Sequence, residues 1–318
     1  MKVSVVICTY AMERYDVFSA CVESVLEQTY NPIEIVIVVD GNEPVYERTR
    51  NDFGGENGVT VYCNDENRGI SYSRTRGAEL ASGEIVAFID DDAAAKPNWI
   101  EELTTVYEET DAIAVGGYIA PNWVGEKPAF FPEEFYWLVG CTEPGFATDG
   151  EEIRNGYGSN ISFRRDVFLA VGGYDENTGR KGDAHIQAHE APVCIRIRER
   201  YGKGVIYAED AVVDHTLFDY RGNFRWLLFR SFWQGYSKRI MDVILPETQG
   251  DERQYLRQLA FRFVPHRVKS LVRSPSVPAV LQLATIAVFT GAVGMGYLYG
   301  HTKSEQQLLR AVEDPATE

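Results

Sequence analysis

The chain has 318 residues, enough for one large core or two smaller ones, and its apolar and charged fractions of 45% and 25% are ordinary for a globular protein. Its formal net charge of −16 argues against sequence-independent binding of nucleic acid, which depends on basic surfaces that meet phosphates. Acidity of this size suits a protein that stays soluble in concentrated salt.

The first third of the chain predicts strands that alternate with helices. Apolar runs rich in β-branched residues predict strands at 3–8, 33–39, 59–63 and 85–89. Apolar residues with helical spacing predict helices at 15–27 and 71–81. Because the strands are continuously apolar, we expect an α/β fold with a Rossmann-like, mostly parallel sheet that helices cover on both faces.

Beyond residue 90 the alternation becomes less regular. A helix is predicted at 99–109 and a strand at 112–119, but the aromatic, proline-rich stretch 121–146 has no clear period. Long irregular segments in compact domains are commonly functional, so this stretch is expected to shape a pocket for an acceptor. Regular patterns return with helices at 165–171 and 192–201 and a strand at 204–207.

Residues 221–273 differ in charge from the domain that precedes them. This segment holds eleven Lys and Arg against four Asp and Glu, on a chain that is acidic as a whole. Within it, 224–245 interleaves Trp, Phe and Leu with basic residues, a pattern typical of a helix in a membrane interface. An amphipathic helix packed on the catalytic domain, here taken as residues 1–220, would show the same pattern.

Residues 277–299 are apolar enough for a candidate transmembrane helix. A buried helix, or one that lies on the membrane surface, remains the alternative. Arg267, Lys269 and Arg273 precede the segment, so the positive-inside rule places the large N-terminal part on the cytoplasmic side of the cell membrane. Residues 303–318 are predicted to be a disordered tail.

Three consecutive aspartates, Asp90, Asp91 and Asp92, end the strand predicted at 85–89. An isolated pair of this kind is often a solvated turn. Here the buried strand places the aspartates at the carboxyl edge of the sheet, where ligands bind in folds of this type. Alternation directs Asp90 and Asp92 to one side, which predicts an oxygen-ligand site for Mg²⁺ or Mn²⁺ that would in turn bind a diphosphate.

Other polar residues lie at the ends of the neighbouring predicted strands. Thr9 and Tyr10 are placed to flank a base, and Asp40 to bond a base or ribose. Arg74 and Arg76 are close enough in sequence to a strand end to reach phosphates. Each of them alone is more often a surface ion pair or a loop residue. Their position at one edge of the sheet is what favours a nucleotide site.

Several blocks of the sequence occur in a familiar order. These are VSVVICTYAMERYDVFSACVESVLEQTYNPIEIVIVVDG, NDENRGISYSRTRGAELASGEIVAFIDDDA, GSNISFRRDVFLAVGGYDE and VVDH. Over residues 1–220 they resemble the family 2 glycosyltransferases of the GT-A type. TYAMERY, FRWLLFRSFWQGYSKR and the acidic composition resemble, within that family, haloarchaeal glucuronosyltransferases that act on glucosyl dolichyl phosphate in surface-layer N-glycan assembly.

The resemblance implies roles for individual positions. Thr9, Tyr10 and Asp40 match positions that bind the base and ribose, and Arg74 matches the arginine of a conserved family block. Asp90 and Asp92 match the D-x-D motif, with Asp92 as the direct metal ligand. His215 matches a histidine that closes the last strand of the family domain, and it is expected to contact the metal or the diphosphate.

The stretch that should contain the catalytic base departs from the family pattern. Aligning Arg196 with the family's arginine places His189 and Glu190 on its Glu-Asp pair and Pro192 on its second acidic position. Glu190 is therefore expected to be the base. Asp183 and His189 are the reserve candidates, since the proline changes the local geometry.

The resemblance implies an inverting, metal-dependent hexosyltransferase. Its donor would be a UDP-sugar, its acceptor a dolichyl-phosphate-linked saccharide and its surroundings membrane lipid. A glycosyltransferase that makes an exopolysaccharide or glycolipid shares this chemistry. A membrane-tethered protein that binds a metal without catalysis is the alternative from another class. No G-x-G-x-x-G follows the first strand, which disfavours a dinucleotide-dependent dehydrogenase.

Overall fold

The computed structural model describes residues 1–175, 190–244 and 250–308, without the side chains of Glu190, Ile244 and residues 250–252. The described chain forms two compact units. The first comprises residues 1–120, 147–175 and 190–216, and the second comprises residues 121–146, 217–244 and 250–308. Residues 309–318 of the predicted tail lie outside the described residues.

A mixed sheet forms the centre of the first unit. In the described part of the chain its strands are β1 Val3–Thr9, β2 Ile33–Val39, β3 Val59–Cys63, β4 Ile85–Asp90, β5 Ala93–Ala95, β6 Ala114–Trp123, β7 Glu152–Ile153, β8 Ile161–Arg164 and β9 Val205–Leu217. Their order across the sheet is β3-β2-β1-β4-β8-β6-β9-β5, and β7 pairs with β9 at its side.

Six α-helices belong to this unit within the described residues. They are α1 Tyr15–Leu26, α2 Glu43–Phe53, α3 Ile70–Leu80, α4 Trp99–Glu109, α5 Arg165–Ala170 and α6 Glu190–Tyr201. Helix α3 packs on β1 and β2, and Gly77 makes this possible because a Cβ there would lie 2.3 Å from the Val6 side chain. Val5 and Val6 point to opposite faces of the sheet and are both buried, so both faces are covered, as predicted.

Parallel pairing is confined to one half of the sheet. β1 pairs in parallel with β2 and β4, and β2 pairs in parallel with β3. The remaining described pairs, such as β4 with β8 and β6 with β8, are antiparallel. The predicted α/β fold is confirmed, but the predicted mostly parallel order applies to four strands, because β8 lies antiparallel between β4 and β6.

The second unit is built from helices and from the irregular stretch that starts at residue 121. Its helices are α7 Phe224–Ile244, α8 Gly250–Gln258, a π-helical turn Leu259–Phe263, α9 Val264–Arg273 and α10 Val277–His301. Arg267 of α9 forms a two-pronged ion pair with the buried Glu134, with both nitrogen–oxygen distances at 2.6 Å. Leu308, in the segment predicted to be disordered, is buried against Tyr236 and Ile240.

Helix α10 confirms the predicted apolar segment and extends it to His301. It has 25 residues, and its most apolar window of 18 residues has a mean hydropathy of 1.8, so it is long enough and apolar enough to cross a bilayer by length and composition. Only 22% of its most apolar window is buried within the protein. The helix therefore presents most of its apolar surface to the surroundings.

Candidate active site

The three aspartates lie at the carboxyl ends of the parallel strands. Asp90 is the last residue of β4 and is in register with Cys8 of β1, next to Thr9. The backbone amide of Asp40, just after β2, donates to the Thr9 carbonyl at 2.9 Å. The structure thus brings the ends of β1, β2 and β4 to one edge, which is the arrangement that the sequence predicted.

Asp90 is paired with an arginine from helix α3. The guanidinium of Arg74 is 2.5 Å from an Asp90 carboxylate oxygen, and it also lies over the Tyr174 ring at 5.4 Å from the ring centre. Arg74 is 5% exposed, so this charge is held inside the site. Arg76 instead pairs with Glu79 and lies over Tyr62, so the structure does not bring it to the aspartates.

Asp92 contacts a different set of residues. One of its oxygens is 3.2 Å from Nε2 of His215, and the other is 3.6 Å from the guanidinium of Arg14. Both Asp92 and His215 are buried, and pairing of Ala93 with His215 between β5 and β9 holds the two side by side. Arg14 was not among the predicted site residues, because nothing in its local sequence distinguishes it from a surface arginine.

The donor set of Asp92 and His215 fits a divalent cation. One carboxylate oxygen and one imidazole nitrogen are ligands that Mn²⁺ accepts. In the described residues, no three His, Cys, Asp or Glu side chains converge as a metal cage. A cation here would therefore take most of its remaining ligands from a bound phosphate and from water, as Mg²⁺ commonly does in phosphate-transfer sites.

Asp91 faces yet another partner. Its carboxylate accepts a hydrogen bond from the Thr9 hydroxyl at 2.8 Å. Burial and the neighbouring Asp92 raise the pKa of Asp91 to about 6, although Arg14 and Thr9 oppose that rise. The charge crowded at this edge is thus divided among three environments, namely Arg74, Thr9 and the pair of His215 and Arg14.

Asp40 is tied to the loop that leads into α3. Its carboxylate accepts hydrogen bonds from the Asn64 side chain at 2.8 Å and from the backbone amides of Arg68 and Gly69 at 2.9 and 2.8 Å. Gly69 has a positive φ of 88°, a conformation that favours glycine. These bonds fix the start of the helix that carries Arg74.

The same corner contains buried polar atoms that no described residue satisfies. The side-chain oxygen Oδ1 of Asn64 and the Ser71 hydroxyl have no hydrogen-bond partner in the described parts of the chain. Buried polar groups are nearly always bonded, so such atoms are candidates for contacts with a ligand. Of the two residues predicted to flank a base, Tyr10 is 49% exposed, whereas Thr9 is buried and its hydroxyl donates to Asp91.

The predicted base lies at the limit of what the structure describes. Glu190 is the first residue of α6, and its side chain is outside the described atoms, as are Asp183 and His189. The arginine used to align this region is placed: Arg196 donates from Nε to the Val171 carbonyl at 3.0 Å and from a terminal nitrogen to the Gly173 carbonyl. These bonds tie α6 to the turn after α5.

One relative matches almost the whole chain. The sequence is 64% identical over 301 residues to the glucosyl-dolichyl phosphate glucuronosyltransferase of Haloferax volcanii, and the match covers 94% of this chain and 96% of that protein. Because the match covers 94% of this chain, it includes the basic and apolar C-terminal third as well as the N-terminal domain.

Solved structures have the same fold. The mannosyltransferase PcManGT from Pyrobaculum calidifontis, solved with GDP-Man and Mn²⁺, has a TM-score of 0.55 at 16% identity and matches 96% of this chain and 86% of its own. Residues 1–349 of TarS from S. aureus, solved with UDP-GlcNAc, have a TM-score of 0.55 at 13% identity, over 98% of this chain and 90% of that one. These likenesses confirm the predicted GT-A type of fold.

The family itself follows from the sequence. The model for "Glycosyl transferase family 2" matches residues 4–172, more than half of the chain, and this range contains Thr9, Asp40, Arg74 and the three aspartates. Together with the relative that matches over nearly its full length, this match confirms the resemblance. The chain belongs to glycosyl transferase family 2.

Proposed function

We propose that this protein transfers a glucuronosyl group from UDP-glucuronic acid to a dolichyl-phosphate-linked saccharide, with inversion at the anomeric carbon. The observation that carries the proposal is the 64% identity to the Haloferax volcanii glucuronosyltransferase over nearly both whole chains. The arrangement of acidic and basic side chains at the edge of the sheet supports a nucleotide-sugar donor there. Protein N-glycosylation is the process in which a lipid-linked acceptor of this kind would be used.

The donor would bind across the ends of β1, β2 and β4. Asp40 and Asn64 provide acceptors for a base or ribose, and the exposed ring of Tyr10, the residue after β1, is available to stack on the base. Asp90 is held by Arg74, which fixes its carboxylate for a ribose hydroxyl. The buried Arg74 also adds positive charge close to where a diphosphate would bind.

A divalent cation would complete the diphosphate site. Asp92 would be its direct ligand and His215 its neighbour, since their side chains lie 3.2 Å apart. When it is bound, Mn²⁺ or Mg²⁺ stabilises the negative charge that develops on the leaving diphosphate. Arg14 and His215 hold the Asp92 carboxylate between them.

Glu190 would act as the general base. It would take the proton from the acceptor hydroxyl while that oxygen forms a bond to the anomeric carbon and the bond to the diphosphate breaks. The Glu190→Gln variant should therefore bind UDP as wild type does in thermal shift but lose about 10²- to 10⁴-fold in transfer rate.

The reserve candidates provide the controls for this assignment. Asp183→Asn and His189→Gln should keep most of the transfer rate if Glu190 is the base. A near-normal rate for Glu190→Gln, together with a large loss in either control, would assign the base to that other residue.

We also propose that the enzyme works at the cell membrane, with the catalytic domain on the cytoplasmic side. A polyprenyl chain stays in the bilayer, so the site that uses its head group must be held near the membrane surface. The basic segment 221–273 and the apolar helix α10 are suited to that task.

The direct test is a product assay with the full chain in membranes. We expect a mass increase of one hexuronate on glucosyl dolichyl phosphate with UDP-glucuronic acid and Mn²⁺, and no increase with EDTA. Transfer only to acceptors without dolichyl phosphate would favour the exopolysaccharide or glycolipid reaction. No transfer from any of a panel of nucleotide sugars, and no stabilisation by UDP with Mn²⁺, would contradict a transferase altogether.

A further inference from the structure

Helix α10 has a continuous apolar stripe on its exposed side. Val277, Met295 and Leu298 are 73%, 60% and 65% exposed. At 3.6 residues per turn, the exposed apolar residues fall within about 100° of arc over the whole helix. Those that form this stripe are Val277, Val280, Leu281, Val288, Met295, Leu298 and Tyr299. An exposed apolar stripe of this length indicates that the helix binds another apolar surface.

The opposite side of α10 is packed against α7 without space between the backbones. A Cβ on Gly296 would lie 1.8 Å from the Phe232 carbonyl oxygen, and one on Gly235 would lie 1.9 Å from the Val293 carbonyl oxygen. The Tyr297 hydroxyl also donates to Asp242 at 2.6 Å. The two helices therefore behave as one packed pair, so α10 cannot enter a bilayer without α7.

The place where α7 begins decides how the pair can be oriented. Phe224, the first residue of α7, packs on Phe289, the middle residue of α10, with ring centres 5.6 Å apart. Phe131 and Phe135 of the irregular stretch contact the same ring at 6.4 and 5.6 Å. If α10 spanned the bilayer, the start of α7 and the stretch around Phe131 and Phe135 would lie at the depth of the bilayer centre.

Such a position is physically unfavourable. Phe131 and Phe135 are themselves buried, but the neighbouring residues 124–126 and 129 are non-helical and exposed. Exposed backbone of this kind does not occur in the hydrocarbon core, because its polar groups have no partners there. The first turns of α7 also carry Arg225 and Arg230, and charged side chains at the bilayer centre are costly. A helix that lies in the interface meets neither problem, because its packed side and the charges remain in water or headgroups.

The chemistry around the stripe indicates which lipids it meets. Residues 259–304 contain five Lys and Arg and no Asp or Glu, on a chain of net charge −16. Phe261 and Val272, in the segment before α10, are large apolar residues that are 79% and 76% exposed. Arg262, Lys269 and Arg273 of the same segment are exposed and lie among them. This combination favours a bilayer with anionic headgroups.

We propose that the segment 259–303 binds an anionic lipid surface in the plane of the membrane, with α10 half-immersed and both of its ends on the cytoplasmic side. This goes beyond the transfer reaction, because it concerns the mode of attachment and not the acceptor. It also replaces the predicted transmembrane helix by its alternative, a helix on the membrane surface.

Labelling from the two sides of the membrane tests the orientation. Single cysteines are introduced as Ser274→Cys and Thr302→Cys, at exposed positions that flank α10, in a Cys63→Ser background. The other native cysteines, Cys8, Cys21, Cys141 and Cys194, are buried. We expect a membrane-impermeant maleimide to label both introduced cysteines in inverted vesicles and neither in intact cells. Labelling of Thr302→Cys only from outside would show that α10 spans the membrane and would overturn the proposal.

Flotation with vesicles tests the lipid chemistry. The purified full chain should bind phosphatidylcholine vesicles that contain phosphatidylglycerol, and the combined Arg262→Gln, Lys269→Gln and Arg273→Gln variant should bind them roughly 10- to 100-fold more weakly. The matched control replaces Arg50, Arg198 and Lys203 of the first unit by Gln and should bind as wild type does. Equal binding to neutral vesicles, or no effect of the first triple variant, would overturn the proposal. Neither experiment requires turnover, so a failed transfer assay leaves this inference untouched.

Discussion

At the scale of residues, the site depends on how each carboxylate is held. Asp40 has three hydrogen bonds from the protein, Asp90 has the Arg74 guanidinium, and Asp92 has His215 and Arg14. Of these three, Asp92 alone combines a carboxylate with a neighbouring imidazole among the described residues, which is the donor pair that fits a metal. The D-x-D pattern thus divides into one carboxylate paired with arginine and one suited to metal.

This division makes a prediction for Asp92. The Asp92→Asn variant keeps the shape of the side chain but loses the negative charge, so it should lower Mn²⁺ affinity and the transfer rate by at least about 100-fold. Electron paramagnetic resonance of free Mn²⁺ measures the affinity without turnover. Asp65→Asn, an exposed aspartate in the loop before α3, is the control and should change neither quantity. Unchanged Mn²⁺ binding by Asp92→Asn would remove the metal role.

Sequence reasoning found the residues that lie at strand ends but not those that reach the site from elsewhere. Thr9, Asp40 and Asp90 each adjoin an apolar run, so their common edge follows from the sheet. His215 lies inside β9, and only the resemblance to the family indicated it. Arg14 comes from a short 3₁₀ turn, and no local pattern marks it. The contacts of Arg74 with Asp90 and Tyr174 were equally out of reach, since they depend on tertiary packing.

At the scale of elements, the long apolar runs were predictable and the amphipathic or short elements were not. The bounds of β2 and β3 are those expected, because both strands are rich in β-branched residues. Helix α2 was missed although Asn42 caps it, Pro44 follows and Val45, Thr49 and Phe53 are buried four residues apart. Strand β5, Ala93–Ala95, has no strand propensity and exists because it pairs with β9.

The contact between α7 and α10 predicts that two Gly→Ala substitutions on α10 change the stability in opposite directions. Gly296→Ala should destabilise the full chain by about 1–3 kcal/mol, because its Cβ would overlap the Phe232 carbonyl oxygen. Gly294→Ala, on the same helix with open space around it, should instead stabilise by about 0.5–1 kcal/mol, since alanine favours helix. Thermal unfolding in detergent measures both. Equal shifts for the two variants would contradict the close packing of these helices.

The junction of β1, β2 and the loop before β4 gives a prediction for pH. Burial alone would raise the pKa of Glu34, but hydrogen bonds with Lys2, Ser4 and Ser82 outweigh burial and lower the pKa to about 2. Because the unfolded value is near 4.5, the ionised Glu34 stabilises the fold above about pH 5, and that stabilisation is lost as the pH falls towards 2.

Replacing Glu34 by Gln should therefore cost about 1–3 kcal/mol of unfolding free energy at pH 7 and roughly half of that or less at pH 3. Urea unfolding at the two pH values gives the difference. The control is Glu56→Gln, which removes an exposed carboxylate and should leave the unfolding free energy nearly unchanged at both. A cost for Glu34→Gln that is the same at pH 7 and pH 3 would show that the ionised group is not the source of the stabilisation.

At the scale of the whole molecule, charge is distributed by task. Residues 1–220 hold 39 Asp and Glu against 18 Lys and Arg, whereas the segment proposed to meet lipid has no acidic residue from 259 to 304. An acidic surface repels itself and also repels an anionic bilayer. The basic segment is therefore suited to approach such a bilayer. Repulsion between the bilayer and the acidic residues favours contact of those residues with water.

The excess of acid should make the stability of the first unit depend on salt. Raising KCl from about 0.1 M to 1 M shortens the screening length from roughly 10 to 3 Å, which weakens repulsion between exposed carboxylates. We expect Tm of the full chain to rise by roughly 5 °C. Replacing Glu108 and Glu109 at the exposed end of α4 by Gln should reduce this rise, because it removes two of the repelling charges. Arg198→Gln, which removes an exposed positive charge, should increase it. A Tm that is flat or falls with KCl, or the same slope in all three proteins, would show that hydrophobic packing and not charge repulsion limits the stability of the acidic unit.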